Sequence, residues 1–224
     1  MATHYRPHIV TDGLVLYLDA ANLKSYVNGS TTWYDLTNNN NNAVFQDNVA
    51  FDGNSIIFNN NSALISDSLL LNPYLDSFTI SIWMKTTNTT GYVISKGLNV
   101  LNTGYYFQLL NGGWGGNCIF WFQDDTIDNG SYSYAGYDAL DGQWHNITGV
   151  LNHSINDKIY GYSDGILKMT HVAYATGSIS NNYPLQIGSS SFIGSISIIQ
   201  IYNRMLSAQE VLQNYNTTKG RFNL

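Results

Sequence analysis

Aromatic and amide side chains that alternate with apolar residues are the groups in this sequence best suited to chemistry. Trp and Tyr rings pack against the apolar faces of sugars, and Gln amides bind sugar hydroxyls, so both are typical of preformed ligand sites. The candidates are Trp83, Tyr106, Gln108, Trp121, Gln123 and, in the glycine-rich segment 111–116, Trp114. Because successive strand residues point to opposite faces, all but Trp114 lie opposite the apolar side of their strand. They form one surface if their strands share a sheet; alternatively, Trp83 and Trp121 are buried under a loop.

The acidic residues do not form a catalytic pattern. Glycoside hydrolysis needs two carboxylates roughly 5–9 Å apart, but Glu210 is the only Glu among 15 acidic residues. Its spacing from Ser207 is that of a helix capping box, which gives Glu210 a structural role. Asp124, Asp125 and Asp128 cluster in a turn-like segment that reads as a solvated loop. The sequence therefore predicts a protein that is not an enzyme.

Composition excludes several further classes. Lys and Arg number only 9, the net charge is -6, and no basic cluster occurs, so nucleic-acid binding is not expected. Charged residues total 11%, against about 25% in ordinary soluble proteins, and 28 Asn fill the gap. No apolar stretch approaches the roughly 18 residues of a membrane span, and the first residues contain no apolar signal-peptide core.

Short strands are the elements that must position the candidate side chains. In the segment 78–85, Phe78, Ile80, Ile82 and Met84 alternate with more polar residues, a period of two that predicts a half-buried antiparallel strand. Similar runs predict strands at 14–18, 49–51, 55–58, 92–95, 105–110, 119–123, 145–151, 158–162, 166–172, 185–187 and 193–202. This spacing predicts an all-β, two-sheet antiparallel sandwich, forming a single domain over residues 1–224, with one short C-terminal helix at 207–215.

Three local features complete the prediction. The pair Asp164 and Gly165 suits a tight hairpin turn, because both residues tolerate positive φ. The run of Asn at 38–42 is predicted to be an ordered loop, since Asn tolerates left-handed backbone. The segment with Tyr132, Tyr134 and Tyr137 is predicted to be an aromatic contact loop.

Six segments carry motifs in a fixed order: GLVLYLDAAN at 13–22, TWYDLT at 32–37, VAFDG at 49–53, FTISIWMK at 78–85, GQWH at 142–145 and IYNRMLSAQEV at 201–211. Together they resemble the laminin-G-like jelly rolls of the concanavalin A-like lectin/glucanase superfamily over nearly the whole chain. The end of the chain, 210–222, is similar to versions in structural proteins of marine tailed phages and other large viruses. The resemblance implies a two-sheet jelly roll.

The same resemblance implies a calcium site at Asp19, Asp35 and Asp52, because relatives often hold one structural Ca²⁺ at these motif positions. Asp oxygens and backbone carbonyls are the ligands that Ca²⁺ prefers. The alternative is that each Asp anchors a turn through backbone amides. Ser195 and Ser197 stand where many relatives carry Asp, which favours the alternative.

The expected function is a non-catalytic module on a virion surface, as a head-decoration or fibre-associated protein. Its expected partners are glycans or cell-surface polysaccharide and other virion structural proteins, with self-association into a homo-oligomer left open. The expected location is the virion surface or the extracellular space. The alternative is a capsid- or tail-stabilising protein with no glycan ligand, and a glycoside hydrolase ranks third.

Overall fold

The chain forms a sandwich of two antiparallel sheets in a computed structural model that describes residues 8–97, 103–110, 117–124, 131–136, 139–153, 158–173 and 177–224. The strands are β1 (Leu14–Asp19), β2 (Thr32–Trp33), β3 (Ala43–Phe45), β4 (Ala50–Phe51), β5 (Ile56–Asn59), β6 (Ser62–Ile65), β7 (Phe78–Lys85), β8 (Gly91–Lys96), β9 (Gly104–Leu110), β10 (Asn117–Gln123), β11 (Ser131–Gly136), β12 (Trp144–Asn152), β13 (Lys158–Ser163), β14 (Ile166–Val172), β15 (Leu185–Gly188) and β16 (Ile193–Tyr202). Helix α1 (Ala208–Thr218) follows, and short 3-10 helices occur at Leu69–Leu71 and Lys219–Phe222. The predicted all-β sandwich with one C-terminal helix is confirmed.

The two sheets differ in which strands they contain. Sheet A has the order β14-β13-β12-β7-β16-β5-β4, with β1 also paired to β16. Sheet B has the order β11-β10-β9-β8-β15-β6-β3-β2. The chain therefore crosses repeatedly between the sheets, and strands far apart in sequence become neighbours. As a consequence, the candidate residues of β7 lie in one sheet, and those of β9 and β10 lie in the other.

The core lies between the sheets and follows the predicted period of two. On β7, Ile80, Ile82 and Met84 face inward and are fully buried, and Phe107 and Phe120 meet them from sheet B. At Gly149 on β12, an added Cβ would lie 2.3 Å from the Phe120 ring, so the absence of a side chain there allows the sheets to pack closely. The second face of β7 is also buried, and only Lys85 at its end is exposed, which corrects the half-buried prediction.

The C-terminal helix covers the outer face of sheet A. Ser207 caps the helix by accepting from the Glu210 backbone N–H, and the Glu210 carboxylate accepts from the Ser207 N–H in return. This is the predicted capping box. Val211 and Tyr215 then pack onto the sheet, so the helix closes a face that would otherwise be open.

The local turn predictions are largely confirmed. Asp164 and Gly165 have φ of 54° and 75° and join β13 to β14. In the Asn run, Asn41 is buried and donates through its amide to the Val15 carbonyl at 3.0 Å, so this loop is ordered by its own side chains. The predicted loop at Tyr132 and Tyr134 is wrong, because both residues belong to strand β11; Tyr137 lies outside the described residues.

Candidate functional site

A row of aromatic rings crosses sheet B on the face that points away from the core. Tyr106 on β9 is the direct cross-strand partner of Trp121 on β10, and Trp121 is the partner of Tyr132 on β11. The Tyr106 and Trp121 rings are stacked with centroids 5.9 Å apart and planes 7° apart, and Trp121 stacks on Tyr132 at 5.3 Å and 8°. We call these three residues, with Tyr92 and His171 at the two ends, the aromatic ladder.

The ends of the ladder extend it beyond three strands. Tyr92 on β8 packs edge-on against Tyr106, with ring centroids 5.2 Å apart. His171 on β14, the edge strand of sheet A, lies 5.8 Å from the Tyr132 ring. The ladder therefore reaches from the middle of sheet B to the edge of sheet A, where the two sheets approach each other.

Amide and hydroxyl groups border the ladder. Gln108 on β9 is the cross-strand partner of Tyr92, and Gln123 lies at the end of β10; both are partly exposed. The Gln108 amide has no hydrogen-bond partner among the described residues. Burial raises the pKa of the Tyr106 hydroxyl, so this group stays protonated and can donate. These amide and hydroxyl groups can thus both donate hydrogen bonds to a hydroxyl-rich ligand and accept hydrogen bonds from it.

The ladder geometry corrects the expectation that sugars stack on the Trp121 ring. Neighbouring strands are about 4.8 Å apart, so aromatic residues in direct register stack on each other. Tyr106 and Tyr132 stack on Trp121 from the two flanking strands. A ligand on this face would meet ring edges, hydroxyls and amides. The Trp121 indole N–H is itself buried with no acceptor among the described residues.

Trp83 does not belong to this surface. It lies on β7 in sheet A, is 1% exposed, and stacks on Phe222 with ring centroids 4.1 Å apart and on Tyr215 at 5.6 Å. Its indole N–H donates to the Thr218 hydroxyl at 2.8 Å. The prediction that Trp83 binds ligand is therefore wrong, because the C-terminal helix and the following 3-10 turn occupy its face. The alternative of burial is correct for Trp83.

Beneath the helix, the outer face of sheet A is polar and mostly paired internally, although the Gln200 Nε2 atom has no partner among the described residues. Ser81 accepts from the Asn146 amide at 3.0 Å and from the Thr148 hydroxyl at 2.8 Å. All three side chains are buried, as is Gln200 on the neighbouring strand β16. These groups resemble a ligand-reading set in residue type, but the chain's own helix covers them. Trp114, the remaining sequence candidate, lies outside the described residues.

The three candidate calcium ligands do not come together. Both Asp19 carboxylate oxygens accept from the Arg221 guanidinium, at 2.6 and 2.9 Å. Asp35 accepts from the N–H groups of Tyr17, Thr37 and Asn41 and from the Thr37 hydroxyl. Asp52 accepts from the N–H groups of Asn54 and Ser55 and from the Ser55 hydroxyl.

The bonds of Asp35 and Asp52 match the turn-anchor alternative, whereas Asp19 accepts from the Ala21 N–H and is also ion-paired with Arg221; this arrangement does not fit a calcium site. N–H and O–H donors occupy the carboxylate oxygens that a cation would need. Among the described residues, no group of three or more His, Cys, Asp or Glu side chains is arranged to hold a metal ion.

The groups considered for catalysis are engaged in structure. The Arg204 guanidinium binds the Glu210 carboxylate at 2.7 and 3.1 Å and, with Ser207, lowers the pKa of Glu210 to about 2 despite partial burial. Asp124 is 1% exposed and accepts from the Gly177 N–H, while Asp125 and Asp128 lie outside the described residues. Cys118 is buried, and burial raises the pKa of its thiol. Neither described carboxylate presents a free acid or base.

Sequence reasoning missed Tyr92, Tyr132 and His171 as members of the ladder. The alternation Ser-Tyr-Ser-Tyr from 131 to 134 is a strand signal that would have found Tyr132. Tyr92 carries no such signal: a register shift between Tyr92 and Ile94 turns Ile94 inward and leaves Tyr92 on the outer face. His171 joins only because the edges of the two sheets meet.

Comparison with known proteins agrees with the fold. The family model Laminin_G_3, described as the concanavalin A-like lectin/glucanases superfamily, matches residues 53–212. No curated protein matches the chain. No helix within the described ranges is long and apolar enough to cross a membrane.

Three solved structures show the same architecture. The binding domain of Paraclostridial Mosquitocidal Protein 1 is 20% identical with a TM-score of 0.73, over 92% of this chain and 52% of that one. The binding domain of botulinum neurotoxin DC, solved in complex with SialylT, is 18% identical with a TM-score of 0.69, covering 92% and 52%. A structure of botulinum neurotoxin type C, whose cell entry depends on two ganglioside molecules, is 16% identical with a TM-score of 0.71, covering 92% and 51%.

This chain thus spans about half the length of the solved chains it resembles. At these identities the likeness shows the fold. All three are toxin structures, so the resemblance to phage proteins stays a prediction.

Proposed function

The chain belongs to the concanavalin A-like lectin/glucanase superfamily, and from that premise we propose that it is a non-catalytic module that binds glycans through the outer face of sheet B. The observation that carries the proposal is the aromatic ladder with its bordering amides. Aromatic edges give apolar contact, and the Gln108 amide and Tyr106 hydroxyl can read sugar hydroxyls. Because flanking strands fix the ring positions, the site is preformed and little ordering entropy opposes binding.

A binding role fits the state of Glu210 and Asp124, the two described carboxylates considered for catalysis. Glycoside hydrolysis needs one carboxylate that is protonated and one that is ionised, both facing the substrate. Glu210 is ion-paired at the start of a helix, and Asp124 is buried on a backbone amide. The aromatic, hydroxyl and amide groups on the outer face of sheet B therefore suit binding of a glycan without cleavage.

The similar solved structures give independent support. They include the binding domain of botulinum neurotoxin DC, which was solved in complex with SialylT and, separately, with rat synaptotagmin II. By analogy we propose a surface glycan as ligand for this chain. The setting we propose is the outside of a virion or the extracellular space, which rests on the resemblance of residues 210–222 to viral structural proteins. A purely structural role in a capsid or tail is the competing proposal.

A glycan array with matched variants tests the site. Wild-type protein is expected to bind a defined set of glycans. Gln108→Ala should weaken binding about 2–10-fold, the effect of losing one hydrogen bond. Tyr106→Phe, which keeps the stack and removes the hydroxyl, should weaken it to a similar degree. Gln209→Ala, at an exposed position on helix α1, is the matched control and should bind as the wild type does.

Two results would contradict the proposal. If the wild-type protein binds no glycan, the proposed glycan-binding function is wrong. If Gln108→Ala binds as well as the wild type, the binding site does not lie at Gln108. The setting needs a separate measurement: quantification of the protein in purified particles. Recovery at the stoichiometry of capsomers or fibres supports a virion role, and absence from particles contradicts it.

A further inference from the structure

An exposed apolar loop joins β6 to β7 and contains no residue of the aromatic ladder. The segment between β6 and β7 presents Leu69, Leu70, Tyr74 and Leu75, which are 72%, 41%, 49% and 58% exposed. These four large apolar side chains lie within residues 69–75, and contiguous exposed apolar surface is a mark of interaction sites. We call these four residues the apolar loop.

A hydrogen-bond network around the buried Lys96 ammonium anchors the backbone that flanks Leu69 and Leu70. The Lys96 ammonium, 1% exposed, donates to Asp67 at 2.7 Å and to the Tyr183 carbonyl at 2.6 Å. Asp67 also accepts from the Asn72 amide at 2.9 Å, and the Asn72 side chain accepts from the Asn181 N–H at 3.1 Å. These bonds lie on both sides of Leu69 and Leu70 and anchor the backbone that carries them.

The backbone conformation of Tyr74 also indicates that the apolar loop is a binding site. Tyr74 has φ of 49°, a left-handed conformation that is costly for an aromatic residue. Its N–H donates to the Ser180 hydroxyl at 3.1 Å, and its carbonyl accepts from the Ile179 N–H at 3.3 Å. Two contacts with another segment thus hold the strained residue in place. Strain of this kind concentrates at ligand clamps.

A cavity of about 150 Å³ opens beside the apolar loop, between the ends of β7, β9 and β16. Its lining includes Leu71, Phe78, Tyr105 and Ile201. The Tyr105 hydroxyl donates to the Leu71 carbonyl at 2.9 Å, so this lining residue presents mainly carbon to the cavity. Asn72, Asp76 and Asn203 also line it, and a cavity of this volume holds one benzene-sized group. The cavity therefore suits a single apolar side chain.

The negative charge at the entrance of the cavity favours a positively charged binding partner. Asp76 lines the cavity and has no ion-pair partner among the described residues. No Lys or Arg occurs between residues 66 and 77, and the neighbouring Lys96 is already paired with Asp67. An anionic bilayer would be repelled by this charge. A polypeptide can place an apolar side chain in the cavity and a neighbouring Lys or Arg against the Asp76 carboxylate.

We propose that the apolar loop and its cavity form a docking site for a partner polypeptide that inserts one apolar side chain flanked by Lys or Arg. This site is separate from the proposed glycan surface and does not depend on it. The anchor fills the cavity, the exposed leucines pack around it, and Asp76 binds the basic neighbour.

The test uses the whole chain with methyl-labelled leucines and a blocked synthetic pentapeptide, Gly-Lys-Phe-Lys-Gly, followed by NMR titration. Shifts confined to the methyls of residues 69–75 are expected. The peptide with Ala in place of Phe, and the one with Glu in place of Lys, should each bind about threefold to tenfold more weakly. Asp76→Asn should reduce the preference for the Lys peptide over the Glu peptide.

Matched protein variants separate docking from a general loss of apolar surface. Leu69→Ser should weaken peptide binding about threefold to tenfold, whereas Leu23→Ser, at a position 79% exposed elsewhere on the surface, should not. Both side chains are exposed, so we expect both variants to fold. Equal binding of the Phe and Ala peptides overturns the proposal. Leu69-dependent binding to phosphatidylcholine vesicles without peptide binding also overturns it, in favour of a lipid surface.

Discussion

The Arg221 guanidinium binds the Asp19 carboxylate through both terminal nitrogens, at 2.6 and 2.9 Å, and joins the last turn of the chain to its first strand. Asp19 is 2% exposed, so the ion pair compensates a carboxylate that has left water. The Tyr17 hydroxyl also donates to Asp19 at 3.2 Å. This arrangement fixes the C-terminal segment over sheet A.

Loss of this ion pair should destabilise the fold. Arg221→Ala leaves the Asp19 carboxylate buried without its cation, and we expect the free energy of unfolding to fall by about 1.5–3 kcal/mol. Arg221→Lys keeps the charge but loses the two-point geometry, so its effect should be smaller. Urea unfolding measures both. If Arg221→Ala and wild type have the same midpoint, the pair does not anchor the segment.

Trp83 should contribute to stability and not to binding. Trp83→Ala removes a buried ring that Phe222 and Tyr215 cover, and the loss of burial plus the cavity should cost about 3–5 kcal/mol. Lys85→Ala, at the exposed end of the same strand, loses a cation–π contact with Trp144 and should cost no more than about 1 kcal/mol. Folded Trp83→Ala should keep wild-type affinity on the glycan array. A loss of glycan affinity in a Trp83→Ala variant that is still folded would show that Trp83 contributes to binding.

The sequence predicted most strands because the period of two is a local property. The capping box at Ser207 and the turn at Asp164 were predictable for the same reason. The assignment of strands to sheets was not local: Trp83 and Trp121 have the same parity in their strands, but β7 and β10 belong to different sheets. Nothing near Trp83 in sequence indicates that Phe222 will cover it.

The candidate site was predicted in part for the same physical reason. Parity correctly placed Tyr106, Gln108, Trp121 and Gln123 on one outer face. It could not predict that Tyr106 and Tyr132 would lie in direct register with Trp121, since register depends on pairing between strands. Because of that register, the Tyr106 and Tyr132 rings stack on the Trp121 ring in the place where a sugar was expected to stack.

His145 should make stability depend on pH near neutrality. Its Nδ1 lies 2.8 Å from the Asp164 carboxylate and its Nε2 lies 3.2 Å from that of Asp141. The hydrogen bond with Asp164, more than the opposing effect of burial, raises the pKa of His145 above 6.5. A raised pKa means that the stabilisation is fully present below about pH 6.5 and is lost as pH rises through the folded-state value.

We therefore expect His145→Gln to reduce the free energy of unfolding more at about pH 5 than at about pH 8. Urea unfolding of wild type and variant at both pH values gives the difference. Asp164→Asn suits the left-handed turn but removes the charge, so in that background the effect of His145→Gln should depend less on pH. An equal effect of His145→Gln at both pH values in the wild-type background would contradict the expected linkage.

Calcium is expected to have no effect on stability. A site filled at 100 times its Kd would add about 2.7 kcal/mol, and for a chain of this size each kcal/mol raises the Tm by about 2–4 °C. Hydrogen bonds from backbone, hydroxyl and Arg221 donors already occupy the carboxylates of Asp19, Asp35 and Asp52. Thermal unfolding with millimolar Ca²⁺ and with a chelator should thus give equal Tm values. A rise of several degrees with Ca²⁺ that Asp52→Asn removes would instead show that these carboxylates rearrange to bind the ion.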